Sequence, residues 1–372
     1  MNNVSFSKLF DFQKKSKIKA GDGLPLNEGS YPFYTSSSIL KKSINKFLFD
    51  GNSLIFGTGG SASVHYCNEK FAVSTDCFVT QPKNNDELFL KYIYYFLSGN
   101  IHILENGFKG AGLKHISKGY ISDIKIPLPP LDQQKNIATI LDAADAYRQK
   151  TKALIEKYDE LTQSLFLDMF GNIVRNELKW HKSKVGEVSS SRLGKMLDKK
   201  QQTGEMLQPY IKNTNVKWFY FDLEDLPEMD FNEKDLIEFA LKFGDVMVCE
   251  GGEVGRAAIW RNHLLECYFQ KALHRVRVKK EVLNEFYFVY WLKEMARLKG
   301  LKDYVSSVTI PHLTGAKLKS IDIALPPVNL QNQFADGVQA IEAQKAQAQA
   351  SLAQAEDLFN SLLQRAFKGE LS

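Results

Sequence analysis

The sequence predicts an α+β fold: two similar mixed α/β domains separated by two long antiparallel coiled-coil helices, arranged as a pseudo-twofold internal repeat. Three observations predict it. Two helical stretches share the same punctuation at both ends, each carries an apolar row every seven residues, and the segments upstream of each match in order.

The first stretch is approached through Leu128-Pro129-Pro130-Leu131-Asp132 and runs to Phe170, with Gly171 beyond. The second is approached through Leu325-Pro326-Pro327-Val328-Asn329 and runs to Phe367, with Gly369 beyond. Proline is excluded from helix interiors but suits the approach to a first turn. Asp132 and Asn329 read as N-caps, and Gly171 and Gly369 as C-terminal stops. Each stretch holds about 40 residues, roughly 60 Å of helix at 1.5 Å per residue. In the first, Ile137, Ala144, Thr151, Tyr158 and Leu165 form one row, with Ile140, Tyr147, Leu154 and Leu161 as the row beside it. In the second, Phe334, Ile341, Ala348, Ala355 and Leu362 form one row. Val338, Leu352, Phe359 and Ala366 form the other, interrupted by Lys345. Two such seams are expected to pack on each other.

The duplication extends upstream. Leu113-Lys114-His115-Ile116-Ser117 matches Ile310-Pro311-His312-Leu313-Thr314. Ile121, Ile124 and Ile126 match Leu318, Ile321 and Ile323, a spacing that reads as a strand leading into each helix. Leu90 to Phe96 and Phe286 to Leu292 read as matching aromatic helices. Ser53-Leu54-Ile55-Phe56 followed by Gly59-Gly60 matches Asp245-Val246-Met247-Val248 followed by Gly251-Gly252, each a buried strand ending in a glycine turn. The segment Pro32-Phe33-Tyr34-Thr35-Ser36 resembles Pro209-Tyr210-Ile211-Lys212-Asn213. The resulting division is residues 1–128, a first domain; 129–171, a central long helix; 172–325, a second domain; and 326–372, a C-terminal long helix. Punctuation agrees between the domains while detailed sequence differs, as expected of one scaffold carrying two binding surfaces.

The 372 residues carry a net charge of +5, a mild excess that permits an anionic partner. Four cysteines, Cys67, Cys77, Cys249 and Cys267, have no CxxC spacing and read as reduced thiols of a cytoplasmic protein. No apolar run is long enough for a membrane span, and no apolar core follows Met1-Asn2-Asn3-Val4-Ser5 to make a leader. No catalytic or metal-binding set emerges. Ile55 to Ser61 lacks the Lys-Ser/Thr of a phosphate loop. Neither Pro-Pro pair has the preceding Asn or Asp of a methyltransferase tetrapeptide. His65 and Cys67 have no third partner nearby, and the histidines form no HxxxH or HExxH cluster.

The Pro-Pro approaches, Gln133-Gln134 and Gln331 after them, the long helices, the ending Lys368-Gly369-Glu370-Leu371 and the duplication together resemble the specificity subunit of type I restriction–modification systems. The resemblance covers essentially the whole chain. It implies two target recognition domains, each reading half of a bipartite sequence in double-stranded DNA. It implies helices that set the spacer and dock two DNA methyltransferase subunits, with restriction subunits joining that core. The subunit itself would be non-catalytic and without cofactor, and S-adenosylmethionine, ATP and Mg would reside on partners. A coiled-coil scaffold joining protein partners without reading DNA is the alternative.

DNA reading needs Lys, Arg and glycine-turn amides for phosphates, and Arg, Asn, Gln, Ser or Thr for base edges. In the first domain the candidates are Ser36 and Ser37 (with Thr35 and Ser38 beside them), Gly59, Gly60, Lys109, Lys114 and His115. In the second they are Lys212, Asn213, Arg256, His274, Arg275, Lys302 and His312, with Asn215 and Ser306 beside them. His115 and His312 stand out by recurring, either as DNA contacts or as caps of the same turn. Arg275 and Arg277 alternate with Val276 and Val278, which predicts an exposed polar strand face. The loops 107–112 and 304–309 occupy equivalent places and read as exposed.

Overall fold

A computed structural model describes residues 2–84, 86–198, 202–264, 266–305 and 311–371. The chain forms two compact units, one of residues 1–154 and 348–372, the other of residues 155–347. Each therefore contains a portion of both long helices, Leu131–Phe170 and Val328–Lys368.

The first unit is built on a four-stranded antiparallel sheet ordered Phe10–Phe12, Cys77–Pro82, Ser53–Gly57, Val64–Cys67. A two-stranded ribbon pairs Asn2–Ser5 with Lys125–Leu128. The aromatic helix Leu90–Gly99 packs on the sheet, its buried Tyr92, Ile93 and Leu97 joining Phe6, Leu54 and Phe56 in one core. A second sheet contains the parallel pairs Phe33↔Ala72 and Tyr34↔Val73. The second unit repeats this. Its sheet is ordered Ser189–Leu193, Leu273–Val278, Val246–Cys249, Ala257–Ile259, and its ribbon pairs His181–Lys184 with Asp322–Leu325. Its aromatic helix is Glu285–Arg297, and its parallel pairs are Tyr210↔Tyr268 and Ile211↔Phe269.

Within each unit the long helices run antiparallel. In the first, Gln133 Nε2 donates to Leu371 O, the Arg148 guanidinium lies 4.2 Å from the Phe359 ring centroid, and Lys152 pairs with Glu356 at 3.0 Å. In the second, Lys345 pairs with Asp159 at 2.5 Å, and a Cβ on Gly337 would lie 2.9 Å from the Leu165 side chain. Gly337, the one glycine inside either long helix, therefore lets the Leu165 side chain approach closely. The helices are also walls of the unit cores: Ile137, Ala138, Leu141, Phe359 and Leu363 in the first, Phe166, Phe170, Phe334 and Val338 in the second. Burying each of the larger of these side chains, the leucines, isoleucine, valine and phenylalanines, contributes about 1.5–3 kcal/mol.

Three expectations need correction. The row of Ile137, Ala144, Thr151, Tyr158 and Leu165 does face inward, but Ile140, Tyr147, Leu154 and Leu161 do not accompany it: Tyr147 is 55% and Leu161 50% exposed. The inward companions are Leu141, Arg148, Ile155 and Thr162. Two of these are polar, so the apolar pattern pointed to the wrong neighbouring row; the Arg148 stem and the Thr162 hydroxyl, bonded to Tyr158 O, fill the seam instead. Second, the spacing from Ile121 to Ile126 is not one strand. A short helix, Lys118–Asp123, precedes the strand, and its equivalent is Gly315–Ser320. Third, the long helices begin at Leu131 and Val328, one residue before Asp132 and Asn329, which therefore lie in the first turn. Gly171 and Gly369 do end the helices, at φ of +67° and +81°.

Candidate nucleic-acid interface

In the first unit the fully buried strand Ser53–Gly57 emerges into the turn Thr58-Gly59-Gly60-Ser61-Ala62. Gly60 adopts φ +80°, a left-handed conformation that glycine tolerates. A Cβ on Gly57 would lie 2.3 Å from Ser63 Oγ and 3.0 Å from the Ser36 backbone, so the Thr35–Ser38 segment lies directly against the turn. Ser63 Oγ donates to Ser36 O at 3.4 Å, and His65 Nε2 donates to Ser37 O at 2.8 Å. Burial holds the His65 imidazole below its ordinary range, keeping it a neutral brace. On the other flank, His115 Nδ1 donates to Thr58 O at 3.0 Å, and the Ile116 N–H donates to the same carbonyl. His115 also bridges Gly59 and Lys109. Ser36, Ser37, Gly59, Gly60, Lys109 and His115 are thus brought together, with exposed Lys114 adjoining them.

The second unit repeats the arrangement with other side chains. The buried strand Val246–Cys249 emerges into Glu250 to Gly255, with Gly252 at φ +72° and Gly255 at φ +81°. The Leu313 N–H donates to Glu250 O as Ile116 does to Thr58 O. The His312 ring lies 3.2 Å from where a Gly251 Cβ would sit, matching 3.1 Å between the His115 ring and Gly59. Asn213 occupies the place of Ser36, and its Nδ2 donates to Gly251 O at 2.8 Å. Arg256 occupies the place of Ser63. Its Nη2 donates to Asn213 O at 3.0 Å and reaches Asn213 Oδ1 at 3.3 Å, while Nη1 pairs with Glu253 at 3.5 Å. Arg256 Nε is buried without a hydrogen-bond partner among the described residues. Burial pushes the neighbouring Cys249 thiol up to about 11, against the opposing pull of Arg256.

The same frame, a glycine turn clasped by a histidine and a crossing segment, therefore recurs with Ser, Thr and Lys in one unit and Asn, Arg and Glu in the other. Comparison with known proteins identifies the family of the chain. The family model described as the type I restriction modification DNA specificity domain matches residues 1–158 and again 177–356. The chain belongs to this family of type I specificity subunits. It is 24% identical over 347 residues to the MjaVIII specificity subunit of Methanocaldococcus jannaschii, covering 85% of this chain and 80% of that one. It is 25% identical over 319 residues to the EcoKI specificity subunit of Escherichia coli, covering 80% of this chain and 68% of that one. The crystal structure of the S subunit from M. genitalium shares the fold, with a TM-score of 0.62 at 17% identity and coverage of 98% and 95%.

In this specificity subunit several sequence candidates prove to be supports of the turn. His274 is buried and its Nε2 donates to Leu313 O at 2.9 Å, bracing the residue after His312. Asn215 is buried, accepting from the Lys212 N–H and donating to Asp222 O. Arg275 contradicts the expected exposed face: it is buried, its Nη1 donating to Glu238 O and Ala240 O at the end of the helix Glu233–Phe239. Arg277 is half-buried and forms a two-pronged pair with the buried Asp245, at 2.6 and 3.0 Å. The alternation was real, but the face it defines is covered by the segment ending at Ala240. Lys212 and Lys302 are exposed, Lys302 in the short turn Lys302–Tyr304. Ser306 and the rest of 306–310 lie outside the described residues. Sequence reading passed over Ser63 as a site member, although its place just after the glycine turn, opposite Arg256 in the repeat, signals it.

Proposed function

We propose that this specificity subunit reads a bipartite, asymmetric target in double-stranded DNA, one half through each glycine-turn site, and that it docks two DNA methyltransferase subunits. The supporting observation is the repeated turn-and-histidine frame dressed with different hydrogen-bonding side chains. Turn amides and lysines suit phosphates, which fix register without reading sequence. Ser36 and Ser37 offer hydroxyls in the first unit; Asn213 and Arg256 offer an amide and a guanidinium in the second, the groups that pair with adenine and guanine edges. Non-identical side chains on one frame select non-identical half-sites.

Methyl transfer is assigned to the docked methyltransferase subunits with their S-adenosylmethionine. DNA cleavage is assigned to restriction subunits using ATP and Mg, and the chain itself is taken as non-catalytic and cytoplasmic. The exposed row Ile140, Tyr147 and Leu154 supports docking, because apolar side chains at seven-residue spacing on a helix's outward face match a partner helix. The test is the genome-wide adenine methylation pattern with and without the gene. Loss of one motif made of two short blocks around a fixed spacer supports the proposal. Salt-insensitive or absent DNA binding by the assembled complex would favour a protein scaffold instead.

A further inference from the structure

The loop from Gly110 to Lys114 in the first unit carries an apolar side chain that the fold does not use. Lys109 and His115 close this loop, each backbone N–H donating to the other's carbonyl at 3.0 Å. His115 also bridges Gly59 and donates from its ring to Thr58 O, so the base of the loop is tied to the glycine turn. A Cβ on Gly110, at φ +147°, would lie 2.6 Å from Leu113 O, so the tip is narrow and depends on glycine there. On this braced tip Leu113 is 82% exposed, among exposed Lys109, Lys114 and His115.

We propose that Leu113 is a wedge that inserts between two base pairs of the sequence read by the first unit, while Lys109 and Lys114 hold the adjoining phosphates. The inference rests on the DNA-reading function proposed above. One leucine on a loop between two lysines offers too little apolar area for a protein interface, whose stable examples bury far more surface. The apolar interior of a duplex is its base stack, and a single leucine on a narrow cationic loop suffices to unstack a single base step. The loop's attachment to the glycine turn makes the wedge continuous with the readout site. The sequence repeat places Ile310, which lies outside the described residues, in register with Leu113, an apolar residue two positions before each repeated histidine.

The test uses the full chain assembled with its methyltransferase partners and duplexes carrying the mapped target. A fluorescent adenine analogue is placed in turn at each step of both half-sites. The wedge predicts a several-fold fluorescence rise at one step of one half-site. It is lost in Leu113→Ala and kept in Leu113→Met, and Leu113→Ala weakens binding roughly tenfold, the scale of one buried leucine. Leu113 is exposed, so both variants fold, which unchanged thermal unfolding confirms. A parent complex that binds without any rise, or a Leu113→Ala complex equal to the parent, overturns the wedge and leaves DNA reading intact. A parent complex with no salt-dependent binding removes the DNA-reading function, and the wedge with it.

Discussion

At the scale of single residues, the two units differ most where Ser63 and Arg256 take the same place. Arg256 reaches the crossing segment through Asn213 O and Oδ1, yet its Nε has no partner among the described residues. A buried donor with no partner costs about 1–3 kcal/mol, and this Nε is closed to solvent, so DNA would be met by the Nη groups. Arg256→Ala should weaken target binding by about 1–3 kcal/mol and relax only the half-site read by the second unit. Competition binding against duplexes altered in one half-site at a time checks this; equal relaxation of both halves would refute it. His274 gives a second expectation at this scale. Burial holds its imidazole below the ordinary value of 6.5, although the bond to Leu313 O works the other way. As pH falls through that ordinary value, the unfolded chain takes up a proton that the folded chain refuses. Stability is therefore full above it and declines below it until the folded histidine also protonates. Denaturant midpoints measured from about pH 7.5 down to about pH 5.5 should fall, and His274→Gln, whose amide can still donate to Leu313 O, should flatten the decline.

At the scale of elements, the start of each long helix is tied to the segment ahead of an aromatic helix by a buried glutamine. Gln134 Oε1 accepts from the Phe89 N–H at 2.9 Å, and its Nε2 donates to Glu87 O and Pro129 O. Gln331 does the same with the Asn284 N–H, Val282 O and Pro326 O. Both side chains are fully buried, so the amide joins the helix start to the lead-in of the aromatic helix. Replacing either by leucine strands one buried carbonyl and two part-buried backbone groups, and should cost about 1–3 kcal/mol, because water can reach the part-buried pair. Thermal unfolding of Gln134→Leu and Gln331→Leu reads this; a loss below about 0.5 kcal/mol would mean that water replaces the amide. These glutamines were visible in the sequence as repeated residues, but their role was not, because nothing local marks the carbonyls they reach. Helix ends, glycine turns and the two aromatic helices were legible because proline, glycine and apolar spacing act locally. The inward row of the first long helix and the burial of Arg275 were not. There a polar side chain takes an inward position, and a distant segment decides what is covered.

At the scale of the whole molecule, the proposed reading of one half-site by each repeated unit predicts a function separable into modules. If both sites bind phosphates through Lys and turn amides, affinity should fall linearly on a log–log plot against salt, with a slope near −0.9 for each phosphate neutralised. The two long helices supply the remaining variable. They pair in antiparallel register within each unit through Lys152–Glu356 and Lys345–Asp159, so a change in one helix must be matched in the other to keep the seam. Removing one heptad from each keeps the inward rows in phase and shortens each helix by about 10 Å, close to three base pairs at 3.4 Å each. In the proposed function the helices set the spacer and the turns set the half-sites. Such a paired deletion should therefore shorten the spacer or abolish methylation, with both half-sites unchanged. A methylation map of a strain carrying the deletion checks this directly. An altered half-site with the original spacer would show that the helices join in base reading, and the division of labour between helix and turn would fail.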